Sequence, residues 1–232
     1  MDIVPLSPQL CFLRFPAGHV YVWRDDDGLT LIDSGVPGSA ASIADAIRQL
    51  GHRPAEVRRL VLTHFHIDHV GGAAEIAAWG PVEVIAHGLD APVIRGEAAG
   101  PPPNLLDWER PLFDRLRIDG VPDAVRVDRV VDADEVLDFG GGARVVTTPG
   151  HTPGSIAIHL PAANVVIAGD AAARLPDGQV IVGVFNCDPG LARRSLGRLA
   201  ELNPAVVCFG HGEPLTEHAT ALLREAAERA AG

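Results

Sequence analysis

Residues 64 to 69 read His64, Phe65, His66, Ile67, Asp68, His69. Three imidazoles and a carboxylate packed this closely are metal-ligand types, and 10 histidines in 232 residues do not produce such a run by composition. Alternate side chains of an extended turn point the same way, so His64 and His66 can share one ion while Asp68 and His69 turn toward another. Neither site is then complete, because zinc takes about four ligands and a catalytic zinc keeps one position for water. Further donors stand at His151 in TPGHTPGS, Asp170 in VVIAGD and His211 in FGHGEP. Each follows an apolar run and lies beside glycines that let the backbone turn closely.

The elements that must position these residues can be read in outline. The runs LCFLRF, HVYVW and LTLIDSG, broken by turn chemistry, predict a β-meander over the first 35 residues. Ile43, Ala46, Ile47 and Leu50 recur at helical spacing, with Ser39 or Ser42 as cap and Gly51 as terminator. RLVLT is then a strand ending at Thr63, which places the His/Asp run at a strand's C-terminal end, where open α/β sheets bind ligands. From 88 to 122 regularity fails: three consecutive prolines occur in GPPPNLLDW, and Pro111 interrupts any single helix through Leu105 and Phe113. This stretch is expected to be an insertion, with Leu105, Trp108 and Phe113 as a candidate lid. The strands ARVVTT, SIAIHL and NVVIAGD come next, then a helix over 189–202, the strand AVVCF and a helix from about Leu215. Strands first and helices later, in both halves, fit one α/β domain over 1–232.

The order H-x-H-x-D-H, a later His, an Asp and a last His, preceded by LIDSG, resembles the metallo-β-lactamase fold superfamily of hydrolases over nearly the whole chain. Within it the chain resembles the glyoxalase II and lactonase-like branch. The resemblance implies a four-layer αββα sandwich and two divalent metal ions, zinc first, with iron and manganese suiting the same ligands. By position it implies that His64, His66 and His151 hold one metal, that Asp68, His69 and His211 hold the second, and that Asp170 bridges them. Asp33 in LIDSG would orient a ligand histidine through its other ring nitrogen. Two such ions share a water, lower its pKa toward roughly 7 and present a bridging hydroxide to a small ester, thioester or lactone. Asp68 would then carry the proton to the leaving group.

Departures from the pattern narrow the branch. True β-lactamases commonly lack the bridging aspartate and are exported, which argues against antibiotic hydrolysis. Glyoxalase II enzymes carry a C-terminal helical substrate domain, whereas about 20 residues follow His211. Lactonases place a tyrosine where this chain has Ala173. A mononuclear-iron, persulfide-dioxygenase-like enzyme would reuse His64, His66, His151 and Asp170 and leave the other ligands idle. A metal-binding scaffold without turnover is a third reading.

Composition excludes other classes. Nineteen Lys and Arg against 30 Asp and Glu give a net charge of −11, which opposes capture of nucleic acid or an anionic membrane surface. MDIVPLSPQLCFLRF lacks the basic start and apolar core of a signal peptide, and no run has the length of a membrane span. Cys11, Cys187 and Cys208 are odd in number and show no CxxC spacing, as expected for a reducing, cytoplasmic setting. The expected partner is a small-molecule substrate, and the oligomeric state stays open. His19 and His87 are the remaining histidines placed where they could line a pocket; His52, His159 and His218 are expected at the surface or packed.

Overall fold

The computed structural model describes residues 1–118 and 120–231. Asp119, inside the expected 88–122 insertion, and Gly232, the end of the expected 1–232 domain, lie outside the described residues. The chain forms two compact units: one from Met1–Ala99 and Gly120–Val131, the other from Gly100–Asp119 and Asp132–Gly232.

The first unit holds a seven-stranded sheet whose strands lie in sequence order. β1 (Asp2–Pro5), β2 (Leu10–Arg14), β3 (Val20–Asp25) and β4 (Gly28–Ile32) form the expected antiparallel meander. The chain then crosses over through α1 (Ser39–Gln49), and β4, β5 (Val57–Val61), β6 (Glu83–His87) and β7 (Arg129–Val131) run parallel. A parallel step needs such a crossover, so the helical periodicity after Gly38 marks the change of sheet direction. The short helices α2 (Ile67–Val70), α3 (Ala73–Ala77) and α4 (Ala91–Ile94) fill the remaining connections. α1 buries Ile43, Ala46 and Ile47 against the core that includes Leu31, Leu60 and Val84, and leaves Asp45 and Arg48 exposed. Burial of each isoleucine contributes about 1.5–3 kcal/mol. Neither serine caps α1: its N-cap is Gly38, in a left-handed conformation with no side-chain bond, and Ser39 is already helical and buried.

The second unit contains α5 (Arg110–Leu116) and a five-stranded sheet in the order β14-β11-β10-β9-β8. Its strands are β8 (Val136–Leu137), β9 (Ala143–Thr147), β10 (Ile156–Leu160), β11 (Val165–Ile167) and β14 (Val206–Cys208). β10 is antiparallel to both β9 and β11, and β11 is parallel to β14. β9, β11 and β14 therefore point the same way, and the loops at their C-terminal ends emerge at the same edge. β12 (Ala172–Arg174) and β13 (Val180–Val182) form a separate hairpin. α6 (Pro189–Glu201) and α7 (Ala219–Ala231) supply Leu196, Leu199, Leu223 and Ala226 to this unit's core. Asp188 caps α6 by accepting from the Leu191 amide at 2.9 Å, with Pro189 in the first turn, where its missing N–H costs nothing.

As expected, no single helix runs through Leu105 and Phe113: α5 starts only at Arg110, with Pro111 in its first turn. One expectation is corrected here. The last helix starts at Ala219, not Leu215: Leu215 pairs with Val207 as a β-bridge, and His218 takes a left-handed φ of 54° that breaks the chain direction first. Among the described residues no helix is long and apolar enough to cross a membrane.

β5, which leads to the His/Asp run, is entered through a tight turn at Pro54–Glu56. Arg53 Nε and His52 Nδ1 lie 2.7 and 2.9 Å from the Glu56 carboxylate, and these hydrogen bonds, Arg53 first, hold its pKa down at about 2. The depressed value means that this contact favours the folded chain above the ordinary carboxylate range and is lost as pH falls toward about 2. An NMR titration should find the Glu56 pKa at about 2 in the wild type and shifted upward in Arg53→Ala. An ordinary Glu56 value in the wild type would contradict the Arg53–Glu56 hydrogen bond as the cause of the shift.

Candidate metal centre

In the first unit, β4 and β5 end side by side, with the Asp33 amide donating to the Val61 carbonyl at 2.9 Å. Asp33 is 2% exposed and takes a left-handed φ of 63°, a conformation that Asp adopts more readily than most residues. Its Oδ1 accepts the Thr63 amide at 2.7 Å, and its Oδ2 accepts the Thr63 hydroxyl and His69 Nδ1, both at 2.8 Å. His69 is fully buried. With Nδ1–H committed to Asp33, its Nε2 is the nitrogen that carries the lone pair.

The same carboxylate acts on His64 through Thr63. The Thr63 hydroxyl gives its proton to Asp33, so toward His64 Nδ1, at 3.0 Å, it can only accept. His64 is thereby held with Nδ1 protonated and Nε2 as the basic nitrogen, the same tautomer as His69. The ring centroids of His64 and His69 lie 4.1 Å apart, and those of His64 and His66 4.8 Å apart. Asp90, 1% exposed, accepts the Phe65 amide at 3.2 Å and fixes the turn between His64 and His66. Asp68 Oδ2 stands 3.7 Å from His69 Nε2. Gly18 packs on this turn so closely that a Cβ there would fall 1.7 Å from the Asp68 carbonyl oxygen. Its φ of 61° adds a second reason for glycine.

In the second unit the three expected donors come from the three strands that share an edge. His151 follows β9, Asp170 lies in the 3₁₀ turn Gly169–Ala171 after β11, and His211 follows β14. The Gly210 amide donates to the Gly169 carbonyl at 2.9 Å, which ties the last two ends together. Nε2 of His151 and Nε2 of His211 lie 3.5 and 3.3 Å from one oxygen, Asp170 Oδ2. His151 is 2% exposed, and its carbonyl accepts the Cys187 amide at 3.1 Å. Two imidazole nitrogens aimed at one carboxylate oxygen suit a divalent cation in chemistry, as do the basic imidazoles and Asp68 of the first unit.

The other candidates have contacts of their own. His19 is buried edge-on against Phe12 and accepts the Phe15 amide; His87 accepts the Leu89 amide. His52 serves the Glu56 turn. Of the candidate lid, Phe113 packs edge-on against Phe185 at 5.1 Å, Leu105 is half-buried and Trp108 is 58% exposed. Glu109 anchors this segment: it is 1% exposed and accepts the amides of Leu106 and Phe185 at 2.8 and 2.9 Å. Sequence reasoning missed Thr63, Asp90 and Glu109. Thr63 alone carried a signal, as a hydroxyl immediately ahead of His64 at a strand end.

A family model described as the metallo-beta-lactamase superfamily matches residues 13–211. The chain belongs to the metallo-beta-lactamase superfamily. Its mixed α/β fold, with several sheets and helices, is that of its structural neighbours in the superfamily. It is 30% identical over 204 residues to the probable metallo-hydrolase YflN of Bacillus subtilis, covering 80% of this chain and 76% of that one. It is 26% identical to the hydroxyacylglutathione hydrolase of Rhodobacter capsulatus, over 89% of this chain and 65% of that one. In fold it is similar to a superfamily protein of Thermus thermophilus, with a TM-score of 0.70 at 24% identity over 97% of this chain and 79% of that one. The metallo-beta-lactamase SMB-1 gives a TM-score of 0.75 at 17% identity, over 100% of this chain and 95% of that one.

The Asp33 network makes a specific prediction. Asn keeps the shape and tolerates the left-handed backbone, but one accepting oxygen becomes an NH2 that accepts nothing, so the Thr63 and His69 donors cannot all be met. Asp33→Asn should stay folded and bind metal roughly 10–100-fold more weakly in a chelator competition. Unchanged affinity would show that the carboxylate does not orient the histidines.

Proposed function

We propose that this chain is a dinuclear metal-dependent hydrolase acting on a small ester, thioester or lactone. The observation that carries the reading is the Asp33–Thr63 network, which sets the same tautomer in His64 and His69. A structural histidine cluster has no need of that preparation. Membership in a metal-using superfamily, and a relative named hydroxyacylglutathione hydrolase, support the reaction class.

In this reading His64, His66 and His151 hold one ion and Asp68, His69 and His211 the other, with Asp170 between them. Both units then form a single catalytic domain. Zinc is the first choice of metal, since imidazole and carboxylate ligands suit it without need of redox chemistry. When bound, the ion pair supplies an acidified water at neutral pH and a positive field for charge developing on the substrate. The chain's own groups do the rest. Asp33 keeps His69 and, through Thr63, His64 in the orientation that binding requires. Asp170 neutralises part of the added charge from the second unit. Asp68 holds the proton taken from the water and delivers it to the leaving oxygen or sulfur.

Metal analysis of protein purified without added metal should give two equivalents per chain. Asp68→Asn should lose turnover on a panel of esters, thioesters and lactones while its circular dichroism is unchanged. One equivalent of iron would move the reading to oxygen chemistry of the persulfide-dioxygenase kind. Absence of metal, with none taken up on titration, would overturn the ligand assignment.

A further inference from the structure

The second unit carries a solvent-open groove of about 960 Å³ that none of the candidate ligands lines; this open cavity has exposed residues in its rim. That volume is at the upper end of the range for small-molecule sites. Its walls are apolar: Trp108 and Leu112 from the segment anchored by Glu109, Val182 from the end of β13 and Val184 from the loop after it, and Ala227 and Ala230 from α7. No Asp or Glu lines it among the described residues, although acids outnumber bases 30 to 19 in the chain.

Its charge comes from three arginines. Arg229 is already engaged, donating to Glu225 at 2.6 Å and to the Val180 carbonyl at 2.8 Å. Arg193 and Arg194, successive residues on α6, are exposed and carry no ion pair among the described residues. Two uncommitted guanidinium groups at one side of an apolar cavity, in an acidic protein, complement a ligand that joins a hydrocarbon chain to a planar anion.

We infer that this cavity binds an aliphatic carboxylate, with its chain along Trp108, Leu112, Val182 and Val184 and its carboxylate on Arg193 and Arg194. The site is separate from the half-set at Asp170, although the backbone between two of its lining residues packs against that aspartate. Gly183, between the two lining valines, presses on Asp170 so closely that a Cβ there would fall 1.8 Å from the Asp170 carbonyl oxygen. The inference does not depend on the hydrolase reading, because binding can be measured without turnover.

The test is isothermal titration calorimetry with dodecanoate on the full chain as purified, in saturating acetate so that any metal already has a carboxylate. One dodecanoate per chain should bind saturably. The Arg193→Ala/Arg194→Ala pair should weaken binding roughly ten-fold or more, and Trp108→Ala should weaken it through the chain, both with unchanged circular dichroism and metal content. Dodecanol binding as well as dodecanoate would remove the role of the arginines and overturn the inference. Binding of dodecyl phosphate but not dodecanoate would overturn the choice of carboxylate. A dimer that dissociates in the arginine variant, with no binding of dodecanoate, would show the occupant to be a second copy of this chain.

Discussion

The candidate centre depends on one buried carboxylate. Asp33 sits at 2% exposure with its charge met by a backbone amide, a hydroxyl and an imidazole rather than by a cation. Burying a carboxylate is costly unless its hydrogen bonds are complete, and three donors aimed at two oxygens meet that cost here. Completing them has a directional result: His69 is oriented directly, and His64 through the Thr63 hydroxyl. The left-handed backbone at Asp33 and the parallel pairing of β4 with β5 both serve to bring the carboxylate across to Thr63. Loss of either would leave a buried anion without partners.

Parallel direction is the second constraint. In the first unit, Asp33 and the His64–His69 run leave neighbouring parallel strands at the same edge. In the second, antiparallel β10 lies between β9 and β11, so His151, Asp170 and His211 also leave one edge together. Each unit thus gathers donors that are distant in sequence by strand direction alone, and the backbone bond from Gly210 to Gly169 keeps two of these ends in register.

Much of this was legible in the sequence because the informative residues are punctuation. Apolar runs ending in His, Asp and Gly mark both the strand and its functional end, and the helical spacing of Ile43, Ala46 and Ile47 marks the crossover. Capping was less legible. Asp188 announced the start of α6 because its side chain makes the bond, whereas α1 starts on a glycine whose backbone geometry no letter pattern distinguishes from an ordinary turn. Pro111 was ambiguous in principle, since the same missing N–H that breaks a helix interior is harmless in its first turn. Asp90 and Glu109 were illegible for a different reason: their partners are backbone amides 25 and 76 residues away for Phe65 and Phe185. Only a folded chain shows which acid reaches which amide.

The central claim is that the donors of the two units serve one pair of metal ions. Anomalous X-ray diffraction at the metal edge, on crystals of the zinc-loaded protein, tests it most directly. The account predicts two peaks about 3.5–4 Å apart, one ligated by His64, His66 and His151, the other by Asp68, His69 and His211, with Asp170 touching both. A single peak, or two peaks each ligated from only one unit, would contradict it.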